Sequence, residues 1–444
     1  MVTVPLGIKA YKRSDGFVPE VRLVNMYLEK DESGISPDGT LRITRPGLSP
    51  LYALTSGPTR GIDYRAGTGE TLIVSGERLY NNGVDAGAIG GSGVAPMTST
   101  TFHEAIVGDK LYLYDTAVTG LDTPDDPFGA GPQTVQDVDQ LNQYTLVLMT
   151  NGRWYWIVPG EAAYDPLNFA TAESSADGGV AICRVGDEFW IFGTQTIEPW
   201  QSTGDLDAPF QRASGRLYER GCLDRDTVKR FDNSVMWVAD DCTVCRGGAV
   251  PQVVSDNGLS ERIRKRTGPT SAWVFGLDGH EFYVLRIPGQ GTFAYDAQTQ
   301  SWCEWATGSG QGWAPHVGYD AAGVVVCGDA ATGTVWTLDA DGDDAGQPIN
   351  WLVTATLPLM GRTPRNNSIS LGVGCAANAP VNLRWRDGQD DYPALYDDMP
   401  IARAPFDVTT LYRLGQPLQP YRTVEFSGST RVRVAGCKAN EAWR

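Results

Sequence analysis

Histidine is scarce in this sequence of 444 residues: there are three, His103, His280 and His316, and they lie far apart. None of them stands at metal-ligand spacing from another candidate ligand, and neither a Gly-x-Ser-x-Gly elbow nor a phosphate-binding loop occurs. Carboxylate pairs of the glycosidase kind are defined by distance in the fold and leave no signal in a sequence. The sequence therefore predicts no catalytic, cofactor-binding or metal-binding residues, and we expect a protein that is not an enzyme.

Cysteines are also few. Six of the eight stand alone, and Cys242 and Cys245 form a lone Cys-x-x-Cys pair. Structural zinc requires four ligands, and no second pair is present. Solitary cysteines inside apolar runs, such as Cys327, are typical of reduced core residues in proteins made in a cytosol. We therefore predict reduced, metal-free thiols.

Long apolar runs are missing as well. Tyr144–Met149 is among the longest, and its length is that of a strand, far short of a membrane-spanning helix. Residues 1–16 lack the apolar core of a signal peptide. We expect neither a membrane-spanning segment nor a secretory leader.

Basic residues are outnumbered, which gives a formal net charge of −17. Such a chain does not wrap DNA by neutralising its phosphates. An acidic wall can still surround DNA, because it repels a sliding polyanion, although negative charge alone indicates only solubility.

One basic cluster stands out in this acidic chain: Arg262, Arg264, Lys265 and Arg266. One interpretation is a solvated helix face. The other is a contact between subunits, in which the arginines bind carboxylates of a neighbour through two hydrogen bonds each. We take these four residues as the candidate subunit interface.

What the sequence has in abundance is glycine and proline, 52 and 27 residues, spread along the whole chain. This distribution favours many short strands joined by tight turns and argues against long helices. We predict an all-β fold.

Short strand-turn units recur along the chain. They begin at Gly76, Gly108, Asn151, Gly186, Asp232, Gly279 and Ala321, which are 32, 43, 35, 46, 47 and 42 residues apart. In the unit after Gly279, a Tyr-Asp corner at Tyr295 and Asp296 precedes Trp302, the outline of a kelch-like blade. The spacing predicts a β-propeller of six or seven blades, with Trp302 wedged between neighbouring sheets. An irregular array of β-sandwiches is the alternative.

The pattern changes after Leu338. A polar stretch, residues 339–346, resembles a calcium loop superficially, but its sixth and twelfth positions are Asp344 and Asn350 instead of Gly and Glu. We expect a solvated link there. The predicted domains are an N-terminal segment (1–55) associated with the second β domain or an interface, a β-propeller (56–344) and a C-terminal β-sandwich or barrel (345–444).

Several segments carry a resemblance, and they keep their order along most of the chain. They are residues 24–29, 41–42, 45–48, 59–64, 86–89, 91–97, 192–198, 280–303 and 327–329. Together they resemble the tail hub, or nozzle, of lambdoid short-tailed bacteriophages, a family also called packaged DNA stabilisation proteins. Residues 116–136 and the region after 345 match poorly.

The resemblance implies a structural protein of the virion tail, made in the bacterial host cytoplasm. It implies a homohexameric ring that attaches below the portal adaptor, forms the exit channel through which genomic DNA passes without sequence-specific binding, and helps to retain the packaged DNA. A tail needle or tip protein plugs that ring, and tailspikes or fibres lie nearby. The family has no catalytic residues to transfer.

Two rival interpretations assign the chain to other classes of protein. One is a glycan-binding or glycan-degrading propeller of a phage tail, which a carboxylate pair at glycosidase separation in a pocket would favour. The other is a bacterial propeller scaffold unrelated to phage, which neighbouring genes would reveal.

Overall fold

The computed structural model describes residues 3–4, 6–7, 21–124, 133–172, 178–308, 310, 312–321, 323–358, 368–388, 391, 393, 397–415 and 421–440. Within them, nearly all regular structure is β-strand. The strands form seven blades around an axis and a β-sandwich beside them. The predicted fold class, a β-propeller of six or seven blades with an additional β-sandwich, is confirmed.

The chain begins with strands that belong to two different bodies. They are β1 (Thr3–Val4), β2 (Leu23–Val24), β3 (Met26–Lys30), β4 (Thr40–Thr44) and β5 (Gly47–Ala53). Within the predicted N-terminal segment, β1 to β4 lie in the sandwich, whereas β5 is the outermost strand of blade 7.

Blades 1 to 6 are consecutive antiparallel meanders of four strands each, ordered from the axis outward. Blade 1 contains β6 (Thr59–Arg65), β7 (Glu70–Ser75), β8 (Arg78–Asn81) and β9 (Val84–Ala88), and blade 2 contains β10 (Met97–Ser99), β11 (Glu104–Val107), β12 (Leu111–Tyr114) and β13 (Val118–Leu121). Blade 3 contains β14 (Val135–Leu141), β15 (Tyr144–Met149), β16 (Arg153–Ile157) and β17 (Phe169–Thr171), and blade 4 contains β18 (Gly179–Val185), β19 (Glu188–Gly193), β20 (Ile197–Ser202) and β21 (Phe210–Arg212). Blade 5 contains β22 (Lys229–Phe231), β23 (Ser234–Val238), β24 (Val244–Arg246) and β25 (Gln252–Val253), and blade 6 contains β26 (Ser271–Leu277), β27 (His280–Ile287), β28 (Gly291–Asp296) and β29 (Ser301–Trp305).

Blade 7 closes the ring with strands from both ends of the propeller sequence. It contains β30 (Pro315–Ala321), β31 (Val324–Asp329) and β32 (Thr334–Asp339), and β5 pairs antiparallel with β32. The inner strands of blades 7 and 1 are neighbours, and His316 Nε2 donates a hydrogen bond of 2.6 Å to the Thr59 carbonyl. This pairing joins the first and last parts of the propeller.

The middle strands of the blades contain short runs of consecutive apolar residues, without the alternation of apolar and polar residues seen in half-buried strands. In β15, Thr145 to Met149 are all buried, and all six residues of β28 are buried. Both faces of a middle strand pack against neighbouring blades, so both sets of side chains leave water. The fully apolar run at Tyr144–Met149 is therefore a propeller feature.

The two faces of the propeller differ in what they carry. The turns between first and second strands, and between third and fourth strands, lie on one face, which we call the hairpin face. The turns between second and third strands and the blade-to-blade connections lie on the opposite face, the connector face. A 3-10 helix (Arg225–Thr227) and α1 (Asn257–Arg264) belong to the connections that lead into blades 5 and 6.

The sandwich packs two sheets over one apolar core. Its C-terminal strands are β33 (Trp351–Pro358), β34 (Ser368–Cys375), β35 (Asn382–Asp387), β36 (Asp397–Asp398), β37 (Phe406–Tyr412), β38 (Tyr421–Gly428) and β39 (Val432–Ala439). One sheet has the order β3-β4-β39-β34-β37, with β1 on β39, and the other has the order β2-β33-β38-β35-β36. The core thus combines strands from both ends of the chain.

Candidate functional site

The axis of the propeller encloses a cavity of about 1160 Å³ lined by the inner strands. Its lining includes Asp63 of blade 1, Asp137 and Asp139 of blade 3, Arg230 of blade 5 and Tyr319 of blade 7. A cavity with several carboxylates is where catalytic or ligand-binding groups are expected in a β-propeller, so its chemistry decides between an enzyme and a scaffold.

The Ser99 hydroxyl links Asp63 to Glu104, a fully buried residue of blade 2. The Ser99 hydroxyl lies 3.0 Å from Asp63 Oδ2 and 2.5 Å from Glu104 Oε2, and it can donate to only one of them. Burial, together with the adjacent Asp63 carboxylate, raises the pKa of Glu104 well above its usual range, and burial raises the pKa of Asp63. Burial therefore favours the protonated form of both carboxyl groups, and the neighbouring Asp63 carboxylate adds to this effect at Glu104. Glu104 is fully buried and does not line the cavity, whereas both carboxyl groups of a glycosidase flank the bound sugar.

Replacing Glu104 by glutamine tests this protonation. A carboxyl whose pKa is raised by folding contributes stability that is present below its unfolded pKa and is lost as the pH rises through its folded pKa. The wild-type protein should therefore lose stability as the pH rises above the ordinary carboxyl range, and Glu104→Gln should lose less. Chemical denaturation at several pH values measures this difference. Exposed Glu161→Gln is the control, and parallel pH profiles for wild type and Glu104→Gln would contradict a protonated Glu104.

The carboxylates of blade 3 bind the backbone of blade 4. Asp137 Oδ2 accepts a hydrogen bond of 2.9 Å from the Ile182 amide, and Asp139 Oδ2 accepts one of 2.6 Å from the Arg184 amide. Burial raises the pKa of Asp137 to about 7, and the Arg225 guanidinium opposes that shift. These side chains hold two inner strands together, which is a structural use of buried carboxylates.

Arg225 crosses the connector end of the axis. It precedes blade 5, and its Nη2 donates a 2.8 Å hydrogen bond to the Val94 carbonyl, in the connection to blade 2. Its Nη1 donates a 2.7 Å bond to the Gln136 carbonyl of blade 3, and its Nε binds Asp226 at 2.7 Å. In a ring of seven, blades 2 and 5 stand on opposite sides. The guanidinium therefore obstructs the axis, and a nucleic acid duplex has no passage through the propeller itself.

The predicted basic cluster lies between blades 5 and 6. Asp256 caps α1 by accepting a 2.8 Å hydrogen bond from the Leu259 amide, and Leu259 and Ile263 are buried beneath the helix. This local arrangement fixes the direction of the basic side chains. It places them on the connector face.

The structure uses two of the four cluster residues internally. Arg262 lies over the Phe293 ring at 4.9 Å and donates to the Gln290 carbonyl, and Arg266 pairs with Asp224 at 3.5 Å. The other two, Arg264 and Lys265, are exposed, and Lys265 pairs with Glu261 within the helix. A role in subunit contact stays a prediction, and it applies most directly to this exposed pair.

A polar cleft of about 880 Å³ separates α1 and blade 6 from the sandwich. Arg262 and Lys265 line one side, and Asn350 and Asn382 line the other. On its floor, Arg22 Nη2 lies 3.2 Å from Glu304 Oε1. The cleft is thus an interdomain groove, and its wall carries two of the predicted residues.

Two features join the propeller to the sandwich, and the first is a continuous sheet. Val24 of β2 pairs in parallel with Glu304 of β29 and antiparallel with Leu352 of β33. Blade 6 and one sheet of the sandwich thereby form a single nine-stranded sheet. Backbone hydrogen bonds therefore cross the boundary between the two bodies.

The second feature is a buried ion pair that the sequence did not reveal. The Arg45 guanidinium binds both oxygens of Asp344 at 2.9 and 2.6 Å, and both side chains are essentially inaccessible to solvent. Its remaining N–H groups bind Asn25 Oδ1 and the carbonyls of Pro46 and Ala306. The expectation of a solvated link at residues 339–346 is wrong at Asp344, because the buried guanidinium requires this carboxylate.

The thiols fit the prediction of solitary core residues. Each of the eight cysteines is free, and Cys242 and Cys375 are half-buried whereas the other six are buried. Across the described part of the chain, no group of three or more His, Cys, Asp or Glu side chains is arranged to hold a metal ion.

We expect a thiol reagent to modify at most Cys242 and Cys375 rapidly in the native protein, because the other sulfur atoms are inaccessible. Under denaturing, non-reducing conditions all eight should react. Stoichiometric zinc, or fewer than eight thiols after denaturation, would contradict this. Cys242→Ser should remove one rapidly reacting thiol and serves as the control.

Among the helices described, none is both long enough and apolar enough to cross a membrane.

Comparison with known proteins gives a family match over most of the chain. The family model described as "Bacteriophage P22 Gp10, beta-propeller" matches residues 2–342. The tail hub protein gp10 of Salmonella phage P22 is 25% identical over 349 residues, which cover 72% of this chain and 72% of that protein.

Solved structures give more distant similarities. BamB from Moraxella catarrhalis is 11% identical, with a TM-score of 0.42, and the match covers 76% of this chain and 98% of that chain. The computationally designed protein Ika8 is 12% identical, with a TM-score of 0.41, over 75% of this chain and 100% of that chain.

Proposed function

Because this chain belongs to the phage-stabilisation family, the β-propeller family of bacteriophage P22 Gp10, we propose that it is a structural protein of a phage tail, the hub at the exit of the capsid. The observation that carries the proposal is the family match over residues 2–342, together with the similarity to a tail hub protein over most of both chains. The chain acts by shape and position, and its carboxylates serve to bind neighbouring strands.

The proposed assembly is a homohexameric ring below the portal adaptor. Arg225 obstructs the propeller axis, so DNA must pass between subunits and not through one of them. A ring built from repeated heterologous contacts supplies such an opening when its rotation closes. The net charge of −17 suits its wall, since an acidic surface does not hold a sliding polyanion.

The same charge bears on assembly. Each subunit of −17 repels its copies, and an adaptor ring that holds them together offsets this repulsion. We expect the purified chain to be monomeric at low salt and to self-associate more readily as salt screens the charges. Analytical ultracentrifugation across a salt series measures this. A stable ring at low salt without any partner would contradict assembly templated by the adaptor.

Deletion of the gene tests the proposed role in the virion. Heads should package DNA and then lose it, because the ring is the seat of the needle or tip that plugs the exit. Electron microscopy and nuclease protection of the mutant particles measure retention. Full, nuclease-resistant heads that fail only to degrade surface glycans would support the glycan-degrading alternative instead.

A further inference from the structure

Exposed apolar side chains of the propeller concentrate on the hairpin face. They lie in, or directly beside, turns between first and second strands or between third and fourth strands: Val84, Phe102, Val158, Leu167, Leu206, Val250 and Val324. Leu206 is 87% exposed and Leu167 is 74% exposed, so these two side chains project into solvent instead of completing the fold. Large apolar side chains in that position mark a surface that another molecule covers.

The most exposed of them lie far from the sandwich. The sandwich joins the propeller at β29 of blade 6 and at β5 of blade 7. In a ring of seven, the blade opposite that junction is blade 3, whose β16–β17 turn carries Leu167. The neighbouring β20–β21 turn of blade 4 carries Leu206, and on the other side Phe102 of blade 2 packs over Gly160 of blade 3.

We call these neighbouring turns the blade-tip patch. It consists of Phe102, Val158, Glu161, Asp165, Leu167, Asp187, Asp205, Leu206 and Asp207. Its carboxylates are all exposed, and in the described part of the chain no basic side chain pairs with them. Apolar anchors ringed by unneutralised charge form the core and rim of a protein interface.

The negative charge of the blade-tip patch indicates which kind of molecule can bind it. Every lysine between residues 47 and 339 lies toward the opposite, connector face: Lys110, Lys229 and Lys265. Arg184 lies beside Asp187, where its Nε donates to the Gly186 carbonyl, and the five carboxylates of the patch outnumber it. A surface with this excess of negative charge repels an anionic membrane and a nucleic acid. The complement is a basic protein surface with apolar side chains.

A second copy of this chain is a poor complement. Three basic residues of its connector face already pair with their own carboxylates: Lys110 with Asp122, Lys265 with Glu261 and Arg220 with Asp241. The copy also carries the same net charge of −17. We therefore propose that the blade-tip patch docks a different protein of the particle, through a basic surface that inserts apolar side chains between the tips of blades 3 and 4.

Photo-crosslinking tests the patch directly. The probe is p-benzoylphenylalanine, placed at Leu206 in one variant and at Leu217, which is 42% exposed on the connector face, in a matched control. Crosslinking is carried out both in purified virions and in infected cells. We expect Leu206→p-benzoylphenylalanine to crosslink a second phage protein through a peptide of net positive charge, with at least fivefold higher yield than the control.

Charge reversal supplies a second measurement. Asp205→Lys with Asp207→Lys should reduce the Leu206 crosslink at least fivefold, whereas Asp240→Lys, at an exposed carboxylate of the connector face, should leave it unchanged. A crosslink to a copy of this chain, to a peptide without net positive charge, or to nothing would overturn the proposal.

The proposed docking surface rests on the proposed function, because it assumes that the chain is part of an assembled tail. Different experimental results would contradict the docking surface and the tail-hub role. Absence of the chain from purified virions would overturn the tail-hub role, while the crosslink in infected cells still decides the patch. Presence of the chain in virions without the crosslink would overturn only the docking surface.

Discussion

Replacing Asp344 by alanine should lower the free energy of unfolding by about 3–5 kcal/mol, the usual cost of leaving one partner of a buried ion pair without the other. The Arg45 guanidinium is inaccessible to solvent, so the substitution leaves a buried charge without its partner. The substitution should destabilise both the propeller and the sandwich, because Arg45 also binds Ala306 next to blade 6 and Asn25 next to the sandwich. Denaturant unfolding, followed by tryptophan fluorescence, measures it.

Asp343 provides the matched control. It is the preceding residue of the same link, and it is exposed. Asp343→Ala should change stability by about 0.5 kcal/mol or less, as surface substitutions usually do. An effect at Asp344 as small as that at Asp343 would contradict a structural role for the ion pair.

Trp302→Ala should cost about 3–5 kcal/mol, as large-to-small changes of buried aromatic residues do. Trp302 is 4% exposed and packs against Tyr295 with ring centroids 5.1 Å apart. Its Nε1 donates a 2.9 Å hydrogen bond to the Val254 carbonyl, ahead of α1. Leu259 and Ile263 of α1 belong to the same core, so the substitution should also loosen the helix that carries the basic cluster.

A conservative variant separates the ring from its hydrogen bond. Trp302→Phe keeps most of the apolar volume and should cost clearly less than Trp302→Ala. Thermal unfolding of the two variants beside the wild type gives the comparison. An unchanged melting temperature for Trp302→Ala would contradict its place in the core between blades 5 and 6.

The blades could be predicted from sequence because each one is local. The stretch from Gly279 to Trp302 contains the second and third strands of blade 6 and the start of its fourth, so turn residues, alternation and the core tryptophan all fall within one window. The burial of Trp302 follows from that pattern. The spacing of the strand-turn units predicted six or seven blades, and the ring has seven.

The contacts between distant parts of the chain could not be predicted in this way. Asp344 stands among aspartates and glycines, a composition typical of a solvated link, and its partner Arg45 is 299 residues away. β5 lies in the predicted N-terminal segment, yet its partner strand is β32. Arg225 lies in the 3-10 helix ahead of blade 5, and its bonds to blades 2 and 3 depend on the closed ring. Such pairings are fixed by the geometry of the whole fold, which local composition does not encode.

Because β5 pairs with β32, blade 7 cannot be completed until late in synthesis of the chain. β5 leaves the ribosome early, and β32 follows only after about 280 further residues, a delay of roughly 15–60 s at bacterial elongation rates. Throughout that interval the nascent chain carries an unmatched strand beside blades that can already fold. Pro50 lies in the middle of β5 and has no N–H to offer a wrong neighbour, which protects the waiting strand from premature pairing. The last blade is therefore the step at which nascent chains are most open to mispairing with one another, and this exposure grows with the number of chains made at the same time.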